Sequence, residues 1–366
     1  MQTISSKKRI SLKEGLCLFK EAPLEFLQKE AHSIRTKEHP GKKVSFIVDA
    51  NPNYTNICNM FCSFCAFYRK ENHPESYLKT YKELRILLTK LSSMNITSIL
   101  LQGGVHPNVK IDYLVNIIKI ITNEFPNIHP HCFSAIEISH AAKISNISIE
   151  KALEMLWEAG QRTIPGGGAE ILSNPIQKKI SPKKLKEIHW INFHKTAHKI
   201  GFLSTATMMF GHIETPEDIL THLDIIRNCQ DETHGFLNFI PWSYKPGKNL
   251  LNKIIKQKAN PELYYRILSI ARIYLDNFPN IGASWFGEGK EEGKKALFFG
   301  ANDFGGTIFE ENVHRCAEWK ITSTKQEIID IISSAGFIPC ERNSFYQDLN
   351  KKSLEISSAT SSKLRP

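Results

Sequence analysis

The sequence contains no run of about 18 or more uncharged apolar residues, so no membrane-spanning helix is expected. A basic patch, Lys7-Lys8-Arg9, is not followed by an apolar stretch, which argues against a secretory signal. Cysteines are sparse: eight in 366 residues (17, 58, 62, 65, 132, 229, 316, 340), and only three of them cluster. That excludes the dense disulfide framework of a small secreted domain and points to a reducing, cytoplasmic setting. Pro165-Gly-Gly-Gly-Ala-Glu170 lacks both the Lys-Ser/Thr of a phosphate-binding loop and the spacing of a dinucleotide fingerprint. The net charge of +10 comes without a zinc-finger or RNA-recognition signature, and Lys and Arg are dispersed. It reads as the basic surface of an enzyme, or as attraction for an anionic substrate. A cluster- or zinc-containing nucleic-acid binder is the non-enzyme alternative, and salt-dependent binding would reveal it.

What is present is an alternation. Residues 1–43 read as a helical extension in which Ser11 and Glu14 form a capping box. Strands are predicted over 44–50, 97–101, 129–133, 162–165, 202–209, 235–240 and 280–284. Helices are predicted over 79–93, 111–124, 148–159, 181–200, 216–229, 261–276, 289–298 and 325–335. For the 181–200 helix, Ser181-Pro182 supplies the N-cap and first turn. Roughly eight strand–helix pairs imply an α/β fold with a parallel sheet and right-handed crossovers. A (β/α)8 TIM-type barrel over 44–345 follows, with an open doubly wound sheet as its rival. Residues 346–366 read as a flexible tail.

The unusual motifs fall just after predicted strands. They are the cysteine loop, Gln102-Gly-Gly-Val-His-Pro107, the GGGAE block, Phe210-Gly-His-Ile-Glu214, Pro241-Trp242 and Gly300-Ala-Asn-Asp-Phe-Gly-Gly306. Barrel active sites lie at that face. Glycine and proline alone would punctuate strand ends, but they would not bring Glu, His, Asn and Asp with them. Cys58-Asn-Met-Phe-Cys62-Ser-Phe-Cys65 offers three thiolates. A zinc site completed by a residue such as His73 is one reading, and chance cysteines in a loop are another. A 4Fe–4S cluster with one iron left open is the third. Phe61, Phe64, Phe67 and Tyr68 around the loop would keep a cluster dry or serve as plain core.

The C-x-x-x-C-x-x-C loop, with an aromatic before its last cysteine, resembles the signature of the radical S-adenosylmethionine (SAM) superfamily. The resemblance implies a 4Fe–4S cluster on Cys58, Cys62 and Cys65, with SAM on the open iron. It implies SAM contacts from Gln102-Gly103-Gly104, from Ser134 and Glu137, from Glu170, and from Gly211 and Glu214. The last two match a segment that packs on adenine, although the first glycine of that pattern is missing. Gln102-Gly-Gly, Phe133-Ser-Ala-Ile-Glu-Ile, Ile164-Pro-Gly-Gly-Gly-Ala-Glu-Ile-Leu172, Ala206-Thr-Met-Met-Phe-Gly-His-Ile-Glu-Thr215 and Phe239-Ile-Pro-Trp242 resemble the menaquinone (futalosine) pathway group of that superfamily. The match runs from about residue 44 to about 345. The 240–242 and 300–313 blocks resemble the members that cyclise dehypoxanthine futalosine. Members that make aminofutalosine, and the akin deazaflavin-precursor synthases, are the alternatives.

The implied reaction is hydrogen abstraction from ribose C4′ by a 5′-deoxyadenosyl radical, attack on the benzoate ring, and loss of an electron and a proton. Ring closure within one molecule needs positioning, and the proton loss needs a base. His212, Asp303 and Glu310 are the candidate bases, and Arg162 and Arg315 the candidate cations for the substrate carboxylate. The partners implied are the small-molecule substrate and a flavodoxin or ferredoxin as electron donor, with no nucleic acid and no membrane.

Overall fold

β1 (Lys43–Ile47) and β2 (Asp49–Ala50) form one extended run interrupted at Val48, and the barrel is laid out from them. They are followed by β3 (Ser98–Leu101), β4 (His129–Cys132), β5 (Thr163–Ile164), β6 (Leu203–Phe210), β7 (Phe236–Ser243), β8 (Asp303–Gly306) and β9 (Ile338–Glu341). The structure, a computed structural model, describes residues 9–319 and 322–349. All strand pairs are parallel. β2 to β7 lie side by side in chain order, and β8 and β9 flank β1. The bridges Phe239–Ile281 and Gly282–Asp303 carry the ladder from β7 through the segment 281–282 to β8. The ring therefore closes as a (β/α) barrel, as the alternation implied.

The helices pack outside by one apolar stripe each. In Ile111–Glu124, Ile111, Leu114, Val115, Ile118 and Ile121 are buried at three- and four-residue spacing, and the helix has the predicted bounds. Capping boxes begin Leu12–Glu21, Tyr81–Ser92, Pro216–Thr233 and Lys325–Ser334. The extension at 12–38 is two helices laid on the barrel's outer helices at 216–233 and 261–274, with Arg272 paired to Glu38 at 2.6 Å.

Several elements differ from the sequence expectation. The predicted 181–200 helix begins at Glu187; Ser181 instead ends a short helix, Asn174–Ile180. Residues 182–186 form a turn, which sets Lys184 on the barrel's interior wall. A helix at Ala135–Ile144, capped by Ser134 and Glu137, was not anticipated. Nor was β9, or that β8 lies inside the Gly300–Gly306 block read as a loop. The 289–298 helix is two short helices, Trp285–Glu288 and Lys290–Ala296, broken where Gly289 adopts φ 109°. The segment 280–284 is held by bridges rather than a full ladder.

After β9 the chain crosses the barrel floor. Ser344 Oγ donates to Ser98 Oγ at 2.8 Å, the Phe345 ring meets His129 edge-on at 4.8 Å, and Asn238 Nδ2 donates to Tyr346 OH at 2.7 Å. Ser98, His129 and Asn238 sit at the starts of their strands, so this segment plugs the N-terminal mouth. Tyr346, expected in the tail, is thus part of the barrel interior. The rest of that predicted tail, from residue 350, lies outside the described residues, as do residues 1–8 of the extension.

Candidate functional site

The strand pleat points every second residue inward. Ile47, Asp49, Asn51 and Asn53 follow that rhythm, as do Ser98, Leu100 and Gln102, then Thr205 and Thr207, then Ile240 and Trp242. They line a cavity of ≈ 380 Å³, whose wall also includes Cys58, Cys62 and Cys65.

The cysteine loop is clamped by backbone bonds. Cys58 N donates to Arg69 O at 3.0 Å, Asn59 N to Val105 O at 3.1 Å and Ser63 N to Ile180 O at 2.8 Å. Phe61, at the loop's tip, holds φ 53°, a conformation costly for a non-glycine residue. Gly104 packs against the loop so closely that a Cβ there would stand 2.2 Å from Ile57 O and 2.9 Å from Cys58 Cβ. Phe64, Phe67 and Tyr68 also line the cavity. Phe61 instead packs edge-on to Tyr68 at 5.7 Å, with Lys183 over its face at 4.5 Å.

The three cysteines are free thiols. Burial pushes the Cys62 thiol up to about 12, with Lys184 acting in the opposite direction. Burial also raises Cys65. Among the described residues, no three His, Cys, Asp or Glu side chains converge tightly enough for a single metal ion. Cys58, Cys62 and Cys65 would instead hold an iron–sulfur cluster, which would not require them to share one metal ion. His73 is engaged elsewhere; its Nδ1 accepts from Glu75 N at 3.1 Å. The donor set, the dry aromatic surroundings and the adjoining cavity therefore suit a 4Fe–4S cluster with a small organic ligand beside it.

The expected SAM contacts divide into two groups. Gln102, Gly103, Gly104, Ser134, Glu137 and Glu170 lie on the cavity wall with the cysteines. Glu137 is buried and fully bonded. Its Oε1 accepts from Gly103 N at 2.9 Å and Tyr54 OH at 3.0 Å, and its Oε2 accepts from the N–H and hydroxyl of Ser134. It ties the end of β3 to the helix after β4, at the expense of a burial-raised pKa. Glu170, at φ 46°, is ion-paired with Lys184; its side chain is buried and that of Lys184 half-buried. Lys184 escaped the sequence reading because it was placed inside a helix; its ammonium stands 5.5 Å above the Phe64 ring.

Gly211 and Glu214 form the second group and lie off the wall. Glu214 accepts from Gly211 N and from His212 N, the latter at 2.8 Å, so it closes the turn after β6. Gly211 has φ 77°, and a Cβ there would meet Ala259 Cβ at 2.6 Å.

Of the candidate bases, only Asp303 lines the cavity. It is bound on both oxygens by Arg342 and also accepts from Ser45 Oγ at 2.7 Å. His212 is buried beneath the turn. Its Nε2–H donates to Met209 O at 3.1 Å, and its Nδ1 stands 3.0 Å from Glu214 Oε2. Burial lowers its pKa, against the pull of Glu214. Glu310 is paired with Lys90 at 2.5 Å, away from the cavity. Arg162 stacks on Trp157 at 4.0 Å and donates to two carbonyls, which makes it structural, and Arg315 is exposed.

Besides Lys184, wall residues that escaped the motif search include Asp49, Glu311, His314, Arg342 and Tyr346. Strand alternation alone would have flagged Asp49, which was read as the interior of a strand. Of the rest, Glu311 lies on a loop, His314 in the one-turn helix Val313–Cys316, and Arg342 and Tyr346 in the segment after β9, all too short or irregular for periodicity to mark them. His314 stacks on Phe286 at 5.5 Å, and burial lowers it to about 4, so it stands neutral at pH 7.

Comparison with known proteins gives the same picture. Residues 52–226 match the model of the radical SAM superfamily, and residues 233–354 match the CofH/MqnC C-terminal region. The chain is 37% identical to the cyclic dehypoxanthine futalosine synthase of Halalkalibacterium halodurans, over 93% of this chain and 91% of that one. It is 34% identical to the aminodeoxyfutalosine synthase of Thermus thermophilus, over 95% and 94%. It is 38% identical to the 5-amino-6-(D-ribitylamino)uracil–L-tyrosine 4-hydroxyphenyl transferase of Methanocaldococcus jannaschii, over 94% and 98%. Among solved structures, the FeFe-hydrogenase maturase HydG of Carboxydothermus hydrogenoformans shares the fold. The TM-score is 0.73 at 17% identity, over 93% of this chain and 78% of that one.

Proposed function

This chain belongs to the radical SAM superfamily, as an enzyme of the group carrying the CofH/MqnC C-terminal region, and from that premise we propose that it cyclises dehypoxanthine futalosine in menaquinone biosynthesis. Its cofactors are a 4Fe–4S cluster and SAM, which together supply a carbon-centred radical that removes a hydrogen from substrate.

The observation that carries the cyclase reading is a placement. The 240–242 and 300–313 blocks, which resemble those of the cyclising members, line the cavity: Ile240, Trp242, Asp303, Gly305, Ile308 and Val313 are on its wall. A difference at those blocks is a difference in what the substrate touches. Cys58, Cys62 and Cys65 would hold the cluster. Gln102, the Gly103 and Gly104 backbone, Ser134 and Glu170 would border SAM. Lys184, half-buried beside Glu170, is the cation that a SAM carboxylate would meet there. The apolar flank of Ile240, Trp242 and Phe286 would hold the benzoate ring of the substrate against the ribose, since ring closure within one molecule is mainly a matter of positioning.

The test is an anaerobic assay of reconstituted protein with three substrate sets side by side. Dehypoxanthine futalosine should be consumed and give a product two hydrogens lighter, with 5′-deoxyadenosine. Turnover instead of a chorismate-derived enol ether, or of tyrosine with the ribitylaminouracil, would replace the cyclase reading with one of its relatives' activities.

A further inference from the structure

Five carboxylates line the cavity: Asp49, Glu137, Glu170, Asp303 and Glu311. Three have both oxygens bonded, and the fourth, Glu170, is neutralised by an ion pair with Lys184 through one of its oxygens. Glu137 holds Gly103, Tyr54 and Ser134, Glu170 holds Lys184, and Asp303 holds Arg342 and Ser45. Glu311 accepts from Val313 N at 2.8 Å and from His314 N at 2.9 and 3.1 Å. Asp49 differs in having neither a cation nor a side-chain donor bonded to it: its Oδ1 accepts from Ile308 N at 2.8 Å, and no described residue donates to its Oδ2.

The surroundings of Asp49 are built to keep it so. Ile308 holds φ 47°, an outlier for a β-branched residue, and in that conformation its N–H reaches the carboxylate. A Cβ on Gly306 would stand 2.0 Å from Asp49 Oδ1 and 2.4 Å from Oδ2, so only glycine leaves room for the group. Thr307 Oγ1 fixes the backbone on both sides, accepting from Asp49 N at 3.0 Å and donating to Asp49 O at 2.7 Å. Gly306 and the strained Ile308, two positions apart, hold this carboxylate on the cavity wall.

We propose, resting on the cyclase reading above, that Asp49 is the catalytic base that takes the proton from the ring carbon bonded during cyclisation. At that carbon the C–H bond breaks. The proton goes to Asp49 Oδ2, and the electron pair stays in the ring, which regains aromaticity as a radical anion. The ring's surplus electron then leaves to a one-electron acceptor of the oxidised iron–sulfur class. With the hydrogen removed earlier from ribose, the product is two hydrogens short of the substrate. Burial lifts the Asp49 carboxyl to about 6. Ile308 N–H and the charge of Arg342 pull it down, and Asp303 pushes it up. A base of that strength is ionised at pH 7 and is well matched to proton transfer there.

The test uses Asp49→Asn, which can still accept from Ile308 N–H, and substrate deuterated at ribose C4′. Deuterium should reach 5′-deoxyadenosine at a rate within about threefold of wild type, while cyclised product falls roughly 100-fold. Anaerobic calorimetry on the cluster-loaded protein without SAM should show dehypoxanthine futalosine binding the variant within about threefold of wild type. Product keeping pace with 5′-deoxyadenosine in the variant overturns the proposal alone. Loss of binding also overturns it, because Asp49 would then be holding substrate. Absence of deuterium transfer in the wild type instead overturns the reaction reading, and the proposal with it.

Discussion

The two sides of the cavity are built by opposite means. On the side of β3 and β4, backbone bonds clamp the cysteine loop, and Gly103, Tyr54 and Ser134 engage both oxygens of Glu137. Where β1 meets β8 and β9, Asp303 and Arg342 neutralise each other, while Asp49, the first residue of β2 just beyond β1, has one oxygen that no described residue bonds. The first side is a rigid seat that tolerates little change. The second combines a structural ion pair with a group that costs stability to keep. Active sites are expected to show that contrast, since a reactive group is one the fold has not satisfied.

The sharpest break in the comparison comes at the seat. Cys58→Ala should lose the cluster and with it 5′-deoxyadenosine formation, by a factor on the order of 1,000 or more, measured by iron content and by chromatography of the nucleoside. Full activity in that variant would remove the cysteine loop from the mechanism. On the other side, Asp303→Asn should strand the Arg342 charge in the interior and cost about 3–5 kcal/mol, read as a large drop in melting temperature. An unchanged melting temperature would show that the pair is not structural.

Asp49→Asn should do the reverse. The folded carboxyl sits near 6 against an ordinary 3.8, so the folded state holds this proton more tightly than the unfolded chain does. The stability gained is complete below about 3.8 and lost as pH rises through about 6. Above that range wild type carries a buried charge that Asn lacks. The variant should therefore melt higher than wild type at pH 7 to 8, by on the order of 1–2 kcal/mol, with the gap closing near pH 4. A gap independent of pH would contradict the titration assigned to Asp49. The smallest effect belongs to His212→Gln. It should leave the ratio of cyclised product to 5′-deoxyadenosine within about twofold of wild type, because the ring lies beneath the β6 turn rather than on the wall.

Much of this was legible along the chain. The helix at 111–124 has its predicted bounds because its apolar spacing is local and complete. The Ser11–Glu14 box is present because its two hydrogen bonds join residues three apart. The 181–200 helix was misjudged because Ser181-Pro182 carries a true start signal that tertiary contacts override: Ser181 is consumed as the end of the preceding helix. β8 was read as a loop because Gly305 and Gly306 look like punctuation; one of them is there to make room for Asp49. His212, Asp303 and Glu310 were chosen for standing at strand ends, a criterion blind to whether a side chain is already bonded.

The sequence alone determined the cysteine spacing, the strand–helix alternation and the face on which the motifs fall. Each is set by residues within one or two turns of one another. Which carboxylate stays free was decided only in three dimensions. Asp49 is answered by Gly306, Ile308 and Arg342, which β1 gathers by pairing with β8 on one edge and β9 on the other. Hydrogen-bond partners so distant in sequence leave no periodic trace. A local reading can find a reactive group by type, but only the closed barrel shows whether the fold has left it unsatisfied.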